Sequence, residues 1–232
     1  MTKTLKPFLL DELRGVKNIP HIQKIHRDLF KPFEDVVEQS WNSRGYKVPD
    51  LPAFIAHVYG FHPQLTYDDC YWFSFADYVS QVVIPHKIEV WKAGMKLTQL
   101  FSDQDQFDWI ERLFVHDASK FSHREWIAYD AQRKAGFDKP KSPAFLEALN
   151  HHYNNNDHHP EHWILNLRNQ EPQPLRMPTM AVHEMVCDWI GSSKSYGGDM
   201  QEWLDKNFGG FNLHPDARQD AVRTLRYLDY KV

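Results

Sequence analysis

Acidic and imidazole side chains, which bind metal ions and transfer protons, recur in this chain at positions where a helical pattern calls for apolar residues. One apolar stripe at helical spacing runs through DQDQFDWIERLFV and consists of Phe107, Ile110, Leu113 and Phe114. Continued by one turn, the stripe reaches Asp117, and His116 directly precedes it. A carboxylate buried alone is very costly, so Asp117 should be paired, hydrogen-bonded or bound to a cation.

Two further segments repeat this substitution. In YVSQVVIPHKIEVW, His86 lies on a stripe of valines at helical spacing. In MPTMAVHEMVCDWI, Asp188 follows Ala181 and Met185 on one helical face, and Glu184 lies one turn earlier on a nearby face. A single buried histidine is usually a hydrogen-bonded core residue. Three predicted helices that each direct metal-binding side chains inward favour a shared cation instead.

The densest group of histidines is the stretch HHYNNNDHHPEHW, residues 151–163. The helical pattern of SPAFLEALN ends in the first histidine pair, the asparagines suit a turn, and the proline suits the start of a new helix. The stretch is therefore predicted as a helix–turn–helix corner that turns both pairs, His151/His152 and His158/His159, toward one place. The alternative is a surface loop whose histidines cap helices.

The elements that must position these groups are predicted to be helices. Prolines that suit a first helical turn recur at Pro20, Pro143, Pro160, Pro178 and Pro215. Ser122 to Glu125 and Asp199 to Glu202 have the spacing of a capping box. With little competing strand signal, we predict an all-α chain of roughly eight to ten helices. We expect one domain over residues 1–232, with residues 1 to about 60 as a possible N-terminal helical extension.

Composition excludes several classes of protein. The chain has 232 residues and is 42% hydrophobic, but no apolar run approaches the about 18–20 residues of a membrane span. No signal-peptide pattern opens the sequence, and two cysteines cannot form a disulfide framework, so we expect a soluble cytoplasmic protein. A net charge of -4 argues against long nucleic acid as a partner and favours a small molecule. Oligomeric state is not predicted.

The order of the inward-facing groups resembles a known superfamily. His86 precedes the adjacent pair His116-Asp117, and Asp188 follows on a third predicted helix. This order is similar to that of the HD-domain superfamily of metal-dependent phosphohydrolases, named for its His-Asp pair, and HDASKF resembles the HD-x-x-K form of several branches. The resemblance covers about residues 75–195 and implies an HD-domain-like helical bundle. HDASKFS, HHPEHW and EMVCDW are also similar to motifs of an uncharacterised phage and bacterial family without an assigned substrate.

The resemblance implies a ligand set. It assigns a first divalent ion (Mn, Mg, Co, Zn or Fe) to His86, His116, Asp117 and Asp188. In branches with two metals, the aspartate of the pair bridges the ions and further histidines hold the second ion. This chain offers His151, His152, His158 and His159 for a possible second ion, although their compact spacing departs from those branches. These histidines are otherwise expected to contact the phosphate of the substrate.

The chemistry expected of such a site is hydrolysis. A bound divalent ion lowers the pKa of water from 15.7 to as little as about 7 and polarises a phosphoryl oxygen. We expect Asp117, Lys120, His152 and His158 to act in catalysis, with the Lys120 ammonium neutralising charge on the phosphoryl group. The alternative for Lys120 is a solvated lysine at a helix end.

The sequence therefore predicts a metal-dependent phosphohydrolase acting on a nucleotide or a similar small phosphate ester. Three alternatives stay open: a cyclic-nucleotide phosphodiesterase, a mixed-valent di-iron oxygenase of the HD type, and a non-catalytic protein that binds a metal or nucleotide.

Overall fold

The structure, a computed structural model, describes residues 78–121 and 123–232, and before them only residues 32, 33, 35, 36 and 39. This part of the chain holds seven α-helices: α1 (Ile84–Leu97), α2 (Asp103–Val115), α3 (His123–Ala135), α4 (Pro143–Asn155), α5 (Thr179–Ser195), α6 (Met200–Asn207) and α7 (Pro215–Tyr227). Shorter helical turns cover Val79–Val83, Thr98–Leu100, Ala118–Phe121, Pro160–Trp163 and Phe208–Gly210. Two strands of two residues each, β1 (Ile164–Leu165) and β2 (Gln173–Pro174), pair antiparallel. The all-α prediction is confirmed, although these residues hold fewer helices than the eight to ten predicted for the whole chain.

The described residues form two compact units. The first unit contains those up to Pro85 together with Asp117–Asn155, and therefore α3 and α4. The second unit contains His86–His116 and Asn156–Val232, and therefore most of α1 and all of α2, α5, α6 and α7. No helix in the described ranges is both long enough and apolar enough to cross a membrane.

Helix α5 is the most deeply buried helix of the second unit. Its residues 181–191 are all buried except His183, which is half-buried. His183 contacts α7, where its Nδ1 lies 2.8 Å from the Thr224 hydroxyl. A helix that is buried on nearly every side must satisfy its polar side chains within the protein. This requirement falls on Glu184 and Asp188, which α5 carries into the interior.

Gly191 lets α5 approach α1 closely. A Cβ placed on Gly191 would lie 2.5 Å from Cγ2 of Val90, 3.1 Å from the Val90 backbone nitrogen and 3.3 Å from Cε1 of His86. A side chain can rotate away from such a methyl group, but a backbone nitrogen moves only with its helix. Any residue larger than glycine would therefore displace the part of α1 that carries His86.

A Gly191→Ala substitution is expected to destabilise the protein by about 1–3 kcal/mol, the usual effect of overpacking a core. Alanine favours a helix over glycine by about 1 kcal/mol, so the substitution would stabilise the protein if the contact with α1 were loose. Urea unfolding measures the difference. Gly209→Ala is the matched control because no atom lies within 4 Å of the Cβ it would add. An increase in stability on Gly191→Ala would contradict the close approach.

The first unit packs α3 against α4. Tyr129 of α3 lies with its ring centre 5.0 Å from that of Phe145 on α4 and 6.0 Å from that of Tyr78. Burial raises the pKa of the Tyr129 hydroxyl well above its ordinary value. The hydroxyl therefore stays protonated at neutral pH.

Two details of the predicted α2 are wrong. Phe107 is 50% exposed, so the buried stripe consists only of Ile110, Leu113 and Phe114. The helix also ends at Val115 and does not continue through Asp117. Asp117 has φ 57°, in the left-handed region that aspartate tolerates better than most residues and that stops a helix.

The predicted turn in residues 151–163 also differs in the structure. Helix α4 runs on through Asn155, and the side-chain amides of Asn154 and Asn155 donate to the carbonyls of Asn150 and His151. Both asparagines thus satisfy backbone groups at the end of the helix, and the turn begins at Asn156.

Most of the predicted helix starts within the described residues are confirmed. Pro143 and Pro215 begin α4 and α7, Pro160 begins a short 3₁₀ turn, and Pro178 is the residue before α5. The Asp199 side chain caps α6 by accepting from the Glu202 amide at 2.9 Å, as predicted. Pro20 and Ser122 lie outside the described residues.

Candidate metal centre

Three buried side chains of the second unit converge on one point. His86 comes from α1, His116 follows the end of α2, and Asp188 comes from α5. The Nε2 atoms of the two histidines are 3.1 Å apart. Oδ1 of Asp188 lies 3.0 Å from Nε2 of His86 and 3.5 Å from Nε2 of His116. Three of the predicted ligands therefore meet.

The spacing of these three atoms suits a metal ion. Ligand atoms at about 2.1 Å from one ion lie roughly 3.0–3.4 Å from each other in octahedral and tetrahedral arrangements. Two imidazole nitrogens and a carboxylate oxygen are ligands that zinc, manganese and iron accept. The cluster can therefore hold a metal ion.

The charge of Asp188 suits the same role. Burial by itself raises the pKa of this carboxyl, but the contacts with His116 and His86, and His158 nearby, hold it well below its ordinary value. The carboxylate is therefore ionised at neutral pH, which a metal ligand requires.

Glu184, one turn before Asp188 on α5, is also buried, and both of its carboxylate oxygens face nitrogen atoms. Its Oε1 lies 2.7 Å from Nδ1 of His116 and 3.1 Å from Nδ1 of His158. Its Oε2 pairs with Nε of Arg112. Burial raises the pKa of Glu184, but Arg112 and the two histidines hold it well below its ordinary value.

Arg112 links Glu184 to the loop after α4. Its guanidinium also pairs with both carboxylate oxygens of Asp157. Burial lowers the pKa of the guanidinium, but the two carboxylates raise it above its ordinary value. Arg112 therefore carries a permanent positive charge beside Glu184.

Lys87 holds the backbone around His116. Its side chain is 1% exposed, and its ammonium donates to the carbonyls of Phe114 at 3.0 Å and His116 at 2.5 Å. Carbonyls at a helix C-terminus lack partners within the helix and attract cations. Lys87 thus fixes the end of α2, from which His116 enters the cluster.

Asp117 is the first residue of the segment Asp117–Asn155 in the first unit. Its carboxylate contacts two predicted catalytic residues. Oδ2 lies 2.6 Å from Nζ of Lys120, and Oδ1 lies 3.4 Å from Nε2 of His152. The predicted helix through Lys120 is wrong, but the 3₁₀ turn Ala118–Phe121 still turns Lys120 back toward Asp117. Lys120 also lies 5.7 Å from the ring centre of Tyr129, and its side chain is 16% exposed.

Glu125 holds the first histidine pair. Its Oε1 lies 2.5 Å from Nδ1 of His151, and its Oε2 lies 3.0 Å from Nδ1 of His152. Ser119 donates to Oε2 at 3.0 Å. Burial by itself raises the pKa of Glu125, but the two histidines and Ser119 lower it to about 2.

The lowered pKa of Glu125 predicts how stability depends on pH. A carboxyl whose pKa is about 2 when folded and about 4.5 when unfolded stabilises the protein above about pH 4.5, and this stabilisation is lost as the pH falls toward 2. Wild type should therefore lose about 2 kcal/mol more than Glu125→Gln between about pH 5 and about pH 3. Urea unfolding at the two pH values measures this. The exposed Glu147→Gln should behave as wild type, and equal losses in all three proteins would contradict the prediction.

The second histidine pair belongs to the second unit. The rings of His158 and His159 lie 4.2 Å apart, and the ring of His158 lies 4.5 Å from that of His116. His158 is buried, whereas His159 is half-buried before the Pro160–Trp163 turn. The structure thus joins His158 to the His116 end of the metal centre through Glu184.

Residues 76–226 match the model of a family of unknown function, DUF5662. The chain belongs to this family. All the residues of the candidate metal centre and of the Asp117 and Glu125 clusters lie within the part that matches DUF5662. No curated protein and no solved structure matches the chain.

Several residues of these clusters are absent from the sequence-based site. Glu125 carries a capping-box signal, Glu184 lies at helical spacing from Asp188, and Arg112 and Lys87 lack any signal of their own. Helical spacing from a predicted ligand is the signal that could have found Glu184.

Proposed function

We propose that this protein is a metal-dependent phosphohydrolase that cleaves a nucleotide or a similar small phosphate ester. The observation that carries the proposal is the buried cluster of His86, His116 and Asp188, with ligand atoms 3.0 to 3.5 Å apart. The same three residues occupy the positions that the HD-domain resemblance assigns to ligands. A divalent ion there supplies a Lewis acid that makes hydroxide available at neutral pH and polarises a phosphoryl oxygen.

The HD-domain order also implies that Asp117 is a metal ligand, and this stays a prediction of the resemblance. Its contact with Lys120 at 2.6 Å supports a role for both residues in one reaction. The Lys120 ammonium is proposed to neutralise charge that develops on the transferred phosphoryl group. The partly buried position of Lys120, with its side chain 16% exposed, strengthens that interaction because less water screens it.

His152 and His158 are proposed to contact the phosphate or a second ion through Nε2. Both rings have Nδ1 directed to a buried glutamate, Glu125 for His152 and Glu184 for His158. That arrangement directs the other nitrogen, Nε2, away from the glutamate, and Nε2 of His152 faces Oδ1 of Asp117 at 3.4 Å. His151 and His159 stay candidates for the second ion.

Phosphate release from a panel of nucleotides, cyclic nucleotides and simple phosphate esters tests the proposal. The protein is first stripped of metal and then supplied with Mn²⁺, Mg²⁺, Co²⁺, Zn²⁺ or Fe²⁺ in turn. We expect metal-dependent release that Asp117→Asn reduces by more than the about 10–100-fold typical of residues that only orient a ligand. Asparagine is preferred to alanine because it tolerates the left-handed backbone of Asp117.

The exposed Asp108→Asn on α2 is the matched control and should keep full activity. Two irons per chain with consumption of dioxygen would replace the hydrolase by the oxygenase alternative. Bound metal without cleavage of any ester in the panel would favour a protein that only binds a metal or nucleotide.

A further inference from the structure

The geometry points to Glu184 as the positioning residue of the metal centre: it accepts from Nδ1 of both His116 and His158 and thereby directs Nε2 of each ring to external ligands. This inference rests on the proposed function, since it concerns the same centre. Neither the HD-domain ligand set nor the family match assigns a role to Glu184.

Both oxygens of the Glu184 carboxylate face a nitrogen of another side chain. Oε1 has two lone pairs and faces two ring nitrogens, Nδ1 of His116 at 2.7 Å and Nδ1 of His158 at 3.1 Å. Oε2 faces the guanidinium of Arg112. An ionised carboxylate only accepts hydrogen bonds, so each ring must carry its proton on Nδ1.

The position of that proton decides whether the rings can bind a metal. A neutral imidazole has one protonated nitrogen and one nitrogen with a free lone pair, and only the latter binds a metal. Nε2 of His116 is the atom that faces His86 and Asp188. Glu184 therefore selects the tautomer in which His116 is a ligand. Carboxylates commonly hold metal-binding histidines in this way.

The spacing of the same atoms would also suit a second ion bound by Glu184, His116 and His158. Arg112 argues against that ion, because its guanidinium already pairs with Glu184 and would lie beside the added positive charge. Asp157 binds the other side of Arg112 and holds the guanidinium in place. Hydrogen bonds from the two rings are therefore the favoured arrangement.

The first test measures which ring nitrogen of His116 and His158 carries the proton in the metal-free protein. Long-range ¹H–¹⁵N correlation spectra at about pH 8, above the usual histidine pKa, distinguish the two neutral tautomers. Signals are assigned by their loss in His116→Asn and His158→Asn. We expect both rings to carry the proton on Nδ1. A proton on Nε2 of either ring in wild type overturns the inference, and this measurement needs no variant of Glu184 to fold.

Glu184→Gln provides the second test. Arg112 needs an acceptor, so the amide oxygen should stay with Arg112 and the amide NH₂ should face the rings. The two rings should then switch to the tautomer protonated on Nε2, and affinity for Co²⁺ alone should fall about 10–100-fold. Glu161→Gln, an exposed glutamate of the same unit, should keep both the tautomers and the affinity.

The outcomes separate this inference from the proposed function. Unchanged tautomers and Co²⁺ affinity in Glu184→Gln overturn the role of Glu184. Two Co²⁺ per chain with no proton on Nδ1 of His116 also overturn it, in favour of a second ion at Glu184. Wild type that binds no Co²⁺ but carries both protons on Nδ1 overturns the proposed function and confirms the tautomer selection.

Discussion

Asp188→Asn is expected to bind a divalent metal more than about 100-fold more weakly than wild type, and so to lose the stabilisation that the metal provides. A metal at 100 times its dissociation constant stabilises the folded protein by about 2.7 kcal/mol. The amide has nearly the shape of the carboxylate but no charge, and Asp188 is the ionised member of the cluster with His86 and His116. Thermal unfolding with and without metal measures the loss without any substrate.

The metal-free Asp188→Asn protein should fold, because an amide can still hydrogen-bond to the neighbouring rings. The exposed Asp108→Asn provides the control and should gain the full stabilisation by metal. If metal stabilises Asp188→Asn as much as wild type, Asp188 is not a ligand of the metal. Wild type that gains nothing from any divalent metal would contradict the metal centre itself.

Arg112→Met is expected to destabilise the protein by about 3 kcal/mol. Removing one partner of a buried ion pair leaves the other charge uncompensated and costs about 3–5 kcal/mol. The Glu184 side chain is 4% exposed and would lose its cation, whereas the Arg112 side chain is 24% exposed, so we expect the lower end of that range. Methionine keeps much of the length and apolar surface of arginine. Urea unfolding at neutral pH gives the difference.

Arg133→Met is the matched control. Arg133 pairs with Asp130 one turn away on α3, near the surface, with side chains 27% and 13% exposed. Pairs of this kind contribute about 0–1 kcal/mol. A cost for Arg112→Met no larger than that for Arg133→Met would mean that Glu184 does not depend on Arg112 for its charge.

Each unit contains a buried glutamate whose carboxylate faces Nδ1 of two histidines. Glu125 faces Nδ1 of His151 and His152, and Glu184 faces Nδ1 of His116 and His158. The first glutamate is supported by a serine hydroxyl and the second by a guanidinium. The two arrangements therefore fix ring tautomers through different partners.

Much of the centre could be predicted from helical periodicity. His86 and Asp188 are buried on the faces where the apolar stripes of α1 and α5 placed them. For Asp188 this worked because α5 is regular over the whole stripe, so the angle between residues is known. The stripe of His86 begins in the π-helical turn Val79–Val83, and only its part from His86 to Val90 lies in the regular α1. Asp117 is buried as expected, but for another reason, because the helix ends before it and the left-handed turn carries it inward.

The sequence by itself determined that the chain is helical and which side chains face inward on α1 and α5, because both properties depend on residues within one or two turns. Only the tertiary structure decided which nitrogen of each histidine faces a carboxylate, how Lys87 came to hold the end of α2, and that Arg112 neutralises Glu184. These contacts join residues far apart in the chain, at distances that depend on how helices pack. No local pattern encodes such distances, and His151, His152 and His158 contact Glu125 and Glu184, which lie outside residues 151–163.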